Sequence, residues 1–474
     1  MGAYSLLEKI RPGPPSLRIL VRVVPAALIV IVLFFLFASQ KPREIIAISG
    51  RPPPVVPPPP RPSDALNASN ATNTQNTQNT QKPQNTQNTK PTWQWSPEHD
   101  ADNFGLSEEQ CLIAFPKQYA DLDKSVSLWA ERRIKPEDLD ARPVHTSLIR
   151  AMIYEGQLFI IEYGPQTQTQ SRGPATLFAL HRALTAFPDR HLLPNIEFVL
   201  TTEDYDKDED PTAPIWAYTK QDEDDLVWMM PDFGYFSWPE SKVGAYHEMR
   251  KRIMAVDEGG LGPDGNLTAP LPFHNKTPQI VWRGVTWTNE EIRGQLMEVT
   301  KDQSWADVQV IDWGDRDNPN SNLIPIEDHC RYMFAAQTEG KSYSGRAKYL
   351  LNCRSVTVSH PTLWREPHQS ALVAEGPDAN YVEVYSDWSD LPQKIQYFID
   401  HPAEAERIAN NSIATFRDRY LTNAAEACYW RQLIRKWGSV MDFQPAAFIV
   451  TSEGKLARRG DSYEDWALKG PRSE

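Results

Sequence analysis

The chain has 474 residues, enough for two or three domains, and 40% of them are hydrophobic, which provides for a sizeable buried core. The formal net charge is −13, and no basic tract follows the N-terminal region. These properties exclude nucleic acid as an expected partner.

An uncharged apolar run occupies residues 23–38. It lies at the short end of what spans a bilayer, and the excess of basic residues before it predicts that residues 1–22 stay in the cytosol. A cleaved signal peptide, with Leu36 and Ala38 forming a weak cleavage site, is the alternative. The long basic lead and the length of the run favour an uncleaved anchor.

Residues 39–99 are predicted to form a stalk. The Pro-rich part, "RPPPVVPPPPRP", favours stiff polyproline II, and the Asn/Thr/Gln repeats after it cannot build a core. An anchor, a stalk and a globular body together predict a type II membrane protein whose body lies in the lumen of the secretory pathway. Glycosylation sequons fit a lumenal body and occur at Asn67, Asn70, Asn266, Asn275 and Asn410.

The four cysteines all follow the apolar run, on the side where disulfides persist: Cys111, Cys330, Cys353 and Cys428. Their spacing leaves all three pairings open. No CxxC motif or Cys/His cluster indicates a metal site.

Strand and helix patterns alternate through the body, which predicts an α/β fold with a parallel sheet. The alternation falls into two halves, 100–300 and 301–445, and residues 446–474 are predicted to be a charged, poorly ordered tail. Thr288 and Glu291 have the form of a capping box. Strands are predicted at 195–202, 355–359 and 380–388 and within 306–315, where acids follow the strand. Residues 278–293 are predicted to form a strand, a turn and a helix. Further helices are predicted at 328–340, 344–352, 389–400, 402–420 and 423–439.

The first chemical candidate is the acid pair Glu203 and Asp204, placed where a predicted strand ends. A carboxylate at a strand exit can accept a proton from an attacking hydroxyl. A helix cap or a solvated loop is the alternative.

A set of arginines at strand–helix junctions is the second candidate: Arg283, Arg293 and Arg346. Guanidinium groups bind phosphate bidentately and stay charged. Arg346 also stands at the start of a predicted helix, after Ser344, where free N–H groups and the helix dipole favour a diphosphate. Surface ion pairs and a serine-capped surface helix are the alternatives.

The third candidate is the aromatic segment 227–240, in which Asp232, Phe233, Tyr235 and Trp238 are candidate sugar or acceptor contacts. Ordinary core packing is the alternative. The acidic run 204–211 has spacings that suit Mn²⁺, but its charge and Pro211 favour a solvated loop, so no metal cofactor is predicted.

Four motifs occur in order over residues 195–440: "TTEDYD", "VWRGVTW", "DHCRYMF" and "SYSGRAKYLLNCRSV". Together they resemble glycosyltransferase family 90, the group of Rumi-like protein O-glucosyltransferases and fungal capsule-associated xylosyltransferases. The resemblance implies a B-type glycosyltransferase fold, with two facing Rossmann-like domains and the donor site in the cleft. It also implies inversion without an obligatory metal, with a UDP-sugar as co-substrate and no cofactor.

The resemblance further implies roles for individual residues. Asp204 corresponds to the general base, Arg283 and Gly284 to an Arg-Gly strand end at the donor site, and Ser344 and Arg346 to contacts with the donor diphosphate. It also implies the disulfides Cys330–Cys353 and, with the remaining cysteines, Cys111–Cys428.

An N-terminal anchor resembles the fungal members and suggests the Golgi membrane, with the endoplasmic reticulum as the alternative. The expected donor is UDP-xylose or UDP-glucose, and the expected acceptor is a hydroxyl of a glycan or a protein. Three alternatives stay open: a glycoside hydrolase, a non-catalytic sugar-binding protein on the same fold, and a metal-dependent transferase.

Overall fold

The computed structural model describes residues 93–166, 170–208, 211–239, 243–262, 265–312, 314 and 322–469. The predicted cytosolic tail, the anchor and nearly all of the predicted stalk lie outside the described residues. Within those ranges, no helix combines the length and apolar character needed to cross a membrane.

The described strands, in chain order, are β1 (Leu148–Tyr154), β2 (Gln157–Tyr163), β3 (Ile196–Thr201), β4 (Ile215–Ala217), β5 (Val227–Met229), β6 (Ser237–Trp238), β7 (Gly244–Ala245), β8 (Gly260–Leu261), β9 (Leu267–Thr268), β10 (Thr277–Gly284), β11 (Ala306–Val310), β12 (Tyr332–Gln337), β13 (Val356–Ser359), β14 (Val382–Glu383), β15 (Phe448–Val450), β16 (Leu456–Arg458) and β17 (Asp461–Ser462).

The described α-helices are α1 (Pro97–Asp100), α2 (Glu108–Ala114), α3 (Ala120–Trp129), α4 (Pro136–Asp140), α5 (Arg172–Thr185), α6 (Tyr246–Glu258), α7 (Glu290–Thr300), α8 (Ala347–Leu350), α9 (Leu391–Asp400), α10 (Pro402–Ser412), α11 (Asn423–Val440) and α12 (Tyr463–Lys469). A π-helical segment, Ile413–Tyr420, continues α10. Short 3₁₀ segments lie at Arg190–Leu192, Phe233–Tyr235, Phe273–Asn275, Ile326–Arg331 and Gln369–Ala371.

Two sheets organise the body. The first has six strands in the order β17-β2-β1-β3-β4-β5, and the second has five strands in the order β11-β10-β12-β13-β14. In the second sheet every neighbouring pair is parallel. In the first, only β3, β4 and β5 run parallel to one another, whereas β1, β2 and β17 pair antiparallel. The α/β class with parallel sheets is confirmed, and the two facing Rossmann-like domains stay a prediction.

The predicted strands that end at the candidate residues are confirmed, as are the three C-terminal helices. Strand β3 is buried at every position because α11 packs against it, with Trp437 donating a hydrogen bond from its indole to Glu197 O at 3.0 Å. Strand β10 belongs to the second sheet, although the two predicted halves were divided at residue 300.

Two predicted segments differ in kind from the structure: a predicted helix is a strand, and a segment predicted to be poorly ordered is packed. The segment 328–340 is not a helix, because its apolar run forms the buried strand β12 after a short 3₁₀ segment. The C-terminal segment is not poorly ordered over Phe448–Lys469, since β17 pairs with β2 and Tyr463 and Trp466 are buried. Apolar side chains among the charges hold it against the first sheet.

Both predicted disulfides are confirmed. Cys111–Cys428 ties α2 to α11, and Cys330–Cys353 ties the start of β12 to the segment before β13. Residues 93–99, assigned to the stalk from sequence, also contact the body, where the indole of Trp95 donates to Asp418 O at 3.0 Å.

A buried ion pair links α6 to the start of β10. Lys276 Nζ lies 2.6 Å from Asp257 Oδ1, and both side chains are fully buried. Replacing Lys276 with methionine leaves the Asp257 carboxylate in the interior without this partner. Arg417 Nη1 stays 3.4 Å from Asp257 Oδ2 and compensates part of the charge. We therefore expect the free energy of unfolding, measured by urea denaturation, to fall by up to about 3–5 kcal/mol. An unchanged unfolding midpoint would show that the pair adds nothing to stability.

Parallel strands place their carboxyl ends at one edge, where ligands bind in open α/β sheets. Asp204 follows β3, Arg283 and Gly284 end β10, and Arg346 follows β12. The fold therefore puts Asp204, Arg283 and Gly284 at strand exits and Arg346 in the segment between β12 and the next helix.

Candidate active site

Asp204 lies in the turn after β3 and is held by one arginine. Arg172 Nη1 lies 2.7 Å from Asp204 Oδ1, whereas no described residue hydrogen-bonds to Oδ2. The Asp204 side chain is 35% exposed. A carboxylate fixed through one oxygen and open at the other can accept a proton from an incoming hydroxyl.

Arg172 is itself fixed by its surroundings. It is the first residue of α5, its side chain is only 10% exposed, and its guanidinium packs over the ring of Phe233 at 4.7 Å. Sequence analysis missed this arginine because its contact with Asp204 exists only in three dimensions. Arg172 is a positioning residue for the carboxylate.

The segment after β12 reaches the Asp204 turn. Ser342 donates a hydrogen bond from Oγ to the backbone carbonyl of Asp204 at 3.5 Å. Ser344 and Arg346 follow, but the helix predicted over 344–352 is only the single turn α8, Ala347–Leu350. The helix is therefore shorter than predicted and its dipole is small, and the predicted helix-start contribution to anion binding stays a prediction.

Arg346 is half-buried and its side chain forms no hydrogen bond or ion pair with any described residue. Its guanidinium packs over the indole of Trp282 at 5.7 Å. Burial, together with repulsion from Arg293 and Arg283, lowers the pKa of Arg346 to about 9. A half-buried cation without a partner among the described residues favours the binding of an anion.

Arg293 lies beside it, 5.7 Å from the centre of the same Trp282 ring. It donates to neutral acceptors: Glu339 O at 2.8 Å, Val285 O at 2.9 Å and the Thr288 hydroxyl. Burial lowers its pKa to about 10. Two guanidinium groups without a carboxylate partner in the described residues thus share one aromatic ring.

The predicted capping box is wrong. Asn289 caps α7 by accepting a hydrogen bond from the backbone N–H of Ile292 at 3.1 Å. The Thr288 hydroxyl instead accepts a hydrogen bond from Arg293. Thr288 therefore helps to orient an arginine of the site.

Arg283 differs from the other two arginines because it has an acid partner. Its Nη2 lies 2.9 and 2.8 Å from the carboxylate oxygens of Asp307, which also accepts a hydrogen bond from Tyr332. Gly284 follows, and a Cβ there would stand 2.5 Å from the Trp282 ring. The Arg-Gly strand end thus positions β11 and Trp282, and its predicted contact with a donor stays a prediction.

The aromatic segment is packed inside the body. Asp232, Phe233 and Tyr235 are 4%, 3% and 6% exposed, and Trp238 packs edge-on against Phe233 at 5.4 Å. Asp232 Oδ2 lies 2.6 Å from Lys348 Nζ. This buried pair connects the aromatic segment to α8. Asp232 therefore helps to fix the turn that contains Arg346 and Lys348.

His329 is a further residue that sequence analysis missed. It is 3% exposed, and its Nε2 is buried without a hydrogen-bond partner among the described residues. Burial, with the charges of Arg346 and Arg283 nearby, lowers its pKa to about 3. His329 stands within the motif "DHCRYMF", but the sequence carries no signal of its charge state or orientation.

Two acids of the 204–211 run, Asp206 and Asp208, form ion pairs with an arginine. Arg142 lies 2.8 Å from Asp206 Oδ2 and 3.0 Å from Asp208 Oδ2. In the part of the chain that the structure describes, no group of three or more His, Cys, Asp or Glu residues is placed to hold a metal ion.

Comparison with known proteins assigns the chain to a family. The profile of glycosyl transferase family 90 matches residues 107–451. The chain therefore belongs to glycosyl transferase family 90, and the resemblance carried by its four motifs is confirmed.

Its relatives include proteins named as O-glucosyltransferases. Protein O-glucosyltransferase 1 of Rattus norvegicus is 23% identical over 291 residues, covering 57% of this chain and 67% of that protein. The O-glucosyltransferase rumi homolog of Aedes aegypti is 22% identical over 320 residues, covering 62% and 73%. The corresponding protein of Anopheles gambiae is 29% identical over 232 residues, covering 43% and 55%.

Proposed function

We propose that this protein is an inverting glycosyltransferase that moves glucose or xylose from a UDP-sugar to a hydroxyl of a glycan or protein acceptor. Asp204 is the general base and Arg346 binds the donor diphosphate. Membership of family 90 and the O-glucosyltransferase activity named for the relatives support the reaction class. The geometry of the described residues and the family resemblance support the proposed donor and residue roles.

The observation that carries the proposal is the unpaired Arg346. Burying a cation without a partner costs several kcal/mol. Arg293 beside it adds a second positive charge, which is hydrogen-bonded only to neutral acceptors. The bound diphosphate of a nucleotide-sugar would supply the missing negative charge. Ser342, in the same segment as Arg346, donates a hydrogen bond to the backbone carbonyl of Asp204, which supports a single site for the base and the diphosphate.

The proposed reaction is a single displacement. Asp204 Oδ2 accepts the proton of the acceptor hydroxyl while that oxygen forms a bond to the anomeric carbon. The bond from the anomeric carbon to the diphosphate oxygen breaks, and UDP leaves with its charge compensated by Arg346 and Arg293. Attack opposite the leaving group converts an α-linked donor into a β-linked product.

The compartment is part of the proposal. Two disulfides and exposed sequon residues Asn266, Asn275 and Asn410 support a lumenal body. The predicted anchor over 23–38 would hold this body at the Golgi or endoplasmic reticulum membrane as a type II protein.

A donor panel tests the proposal. Full-length protein in detergent is incubated with UDP-glucose, UDP-xylose, UDP-galactose and UDP-N-acetylglucosamine, with and without EDTA, and released UDP is measured. We expect release from UDP-glucose or UDP-xylose and full activity in EDTA, because guanidinium groups compensate the leaving charge. Loss of activity in EDTA would favour a metal-dependent transferase.

Calorimetry with UDP separates the other two alternatives. A sugar-binding protein on this fold would bind UDP or the UDP-sugar without releasing product. A glycoside hydrolase would not bind UDP at all. Either result would overturn the proposal.

A further inference from the structure

The loop after β13 carries two buried polar side chains that no protein group satisfies. Glu366 and His368 are 4% and 2% exposed. Glu366 Oε2 and both ring nitrogens of His368 lack a hydrogen-bond partner among the described residues. Buried polar atoms in folded proteins are nearly always hydrogen-bonded, so three unpaired atoms within three residues require a ligand or water.

The same loop is anchored at the strand-exit edge. The backbone N–H of Trp364 donates to Glu339 Oε1 at 2.7 Å, and Trp364 packs against Tyr205 at 4.9 Å. Tyr205 follows Asp204 directly. The unpaired pair therefore lies on a loop that contacts the turn of the proposed base.

The charge of Glu366 acts on residues of the proposed site. The pKa of Tyr343 is raised by burial and by the charges of Asp232, Asp204 and Glu366. Lys348, in α8 after Arg346, opposes the rise in the pKa of Glu366. Together with the contact between Trp364 and Tyr205, this coupling associates the loop with the proposed site.

The chemistry of the pair suits hydroxyl groups. Burial, aided by Asp232 and Glu339 and opposed by Lys348, raises the pKa of Glu366 to about 8. Burial and Lys348 lower the pKa of His368 to about 3. Both side chains are therefore uncharged at neutral pH, and each offers one donor and one acceptor.

A sugar hydroxyl is likewise both a donor and an acceptor, whereas a phosphate needs donors and positive charge. Arg346 and Arg293, which lack a carboxylate partner among the described residues, supply the donors and the positive charge that a phosphate needs. The uncharged Glu366 and His368 supply the donors and acceptors that suit a sugar hydroxyl. One group of residues can therefore bind the diphosphate and the other the sugar.

We infer that Glu366 and His368 form the hydroxyl-binding wall of the donor-sugar subsite, and that Glu366 is a specificity-determining residue for the transferred sugar. This inference rests on the proposed function and deepens it. In this inference, Glu366 and His368 bind the sugar, and the arginines bind the diphosphate of the nucleotide.

The test compares two ligands that differ only by the sugar. Glu366→Leu is expected to raise KM for the preferred UDP-sugar about 10–100-fold. The sugar hydroxyl would then be buried without a hydrogen-bond partner, which costs about 1–3 kcal/mol. The inhibition constant of UDP should change less than about twofold. Glu366→Gln keeps a donor and an acceptor, so its KM should rise less than about fivefold.

The pH dependence supplies a second readout. A carboxyl with a raised pKa is protonated below that value and loses its donor above it. Wild-type KM for the UDP-sugar should therefore rise as the pH passes about 8, whereas in Glu366→Gln the rise should begin only near pH 9, where Arg346 loses its proton. A structural role alone would not produce this difference.

Glu197 provides the matched control. It is 1% exposed but lies at the opposite end of β3, where it pairs with Arg150 and Arg459. Glu197→Gln should lower the melting temperature and leave both constants unchanged. Equal changes in KM and the UDP inhibition constant in Glu366→Leu, or no change in either, would overturn the inference. If UDP does not inhibit the wild type, the proposed function itself fails.

Discussion

Replacing Asp204 with asparagine is expected to lower kcat for UDP release from the preferred UDP-sugar by about 10²–10⁴-fold. Asparagine keeps the size of the side chain but cannot take the proton from the attacking hydroxyl. The dissociation constant of UDP, measured by calorimetry, should stay within about twofold, because the nucleotide binds at the arginines. The change should therefore fall on the chemical step.

The neighbouring acid is the control. Glu203 is buried and accepts hydrogen bonds from Ser147 at 2.9 Å and from Lys207 at 2.5 Å, so both of its oxygens are engaged. Glu203→Gln should change kcat by less than about threefold once protein of equal folded fraction is compared. If Asp204→Asn transfers at the wild-type rate, or Glu203→Gln is the inactive variant, the assigned base is wrong.

Replacing Arg346 with methionine is expected to weaken UDP binding about 10–150-fold, the effect of losing hydrogen bonds to a charged group worth about 1.5–3 kcal/mol. The unliganded protein should melt at or above the wild-type temperature, because the substitution removes a half-buried charge that has no partner among the described residues. A residue that weakens stability in order to bind ligand is expected at a functional site.

Arg431 is the matched control for this substitution. It is 1% exposed and donates to the backbone carbonyls of Phe104 at 2.6 Å and Leu106 at 3.0 Å. Arg431→Met should lower the melting temperature and leave UDP binding by the folded protein unchanged. If Arg346→Met instead loses stability and keeps its affinity for UDP, Arg346 is structural.

Local sequence patterns predicted the elements with strong periodicity or clear boundaries. Strands β3, β10 and β11 and helices α9 to α11 are examples. The pattern failed at β12, where apolar side chains are needed on both faces of a central parallel strand and a short run cannot be told from a buried helix. It failed again at the C-terminus, where charges concealed the aromatic side chains that pack on the first sheet.

The candidate site was only partly accessible from sequence. Asp204 stands in a motif at a strand exit, Arg346 stands in a motif between a strand and a helix, and the family resemblance selected both disulfide pairings. The pair Arg172 and Asp204 is separated by 32 positions, so no local pattern could join them. The polar atoms of Glu366 became informative only when burial showed that they have no partner among the described residues.

The central claim is that unpaired guanidinium groups bind UDP at the turn joined to Asp204. A crystal structure of the protein with UDP in EDTA tests it most directly. The account predicts diphosphate oxygens within about 3 Å of the Arg346 guanidinium, with the open oxygen of Asp204 facing the position of the sugar. UDP bound elsewhere, with Arg346 turned towards solvent, would contradict the account.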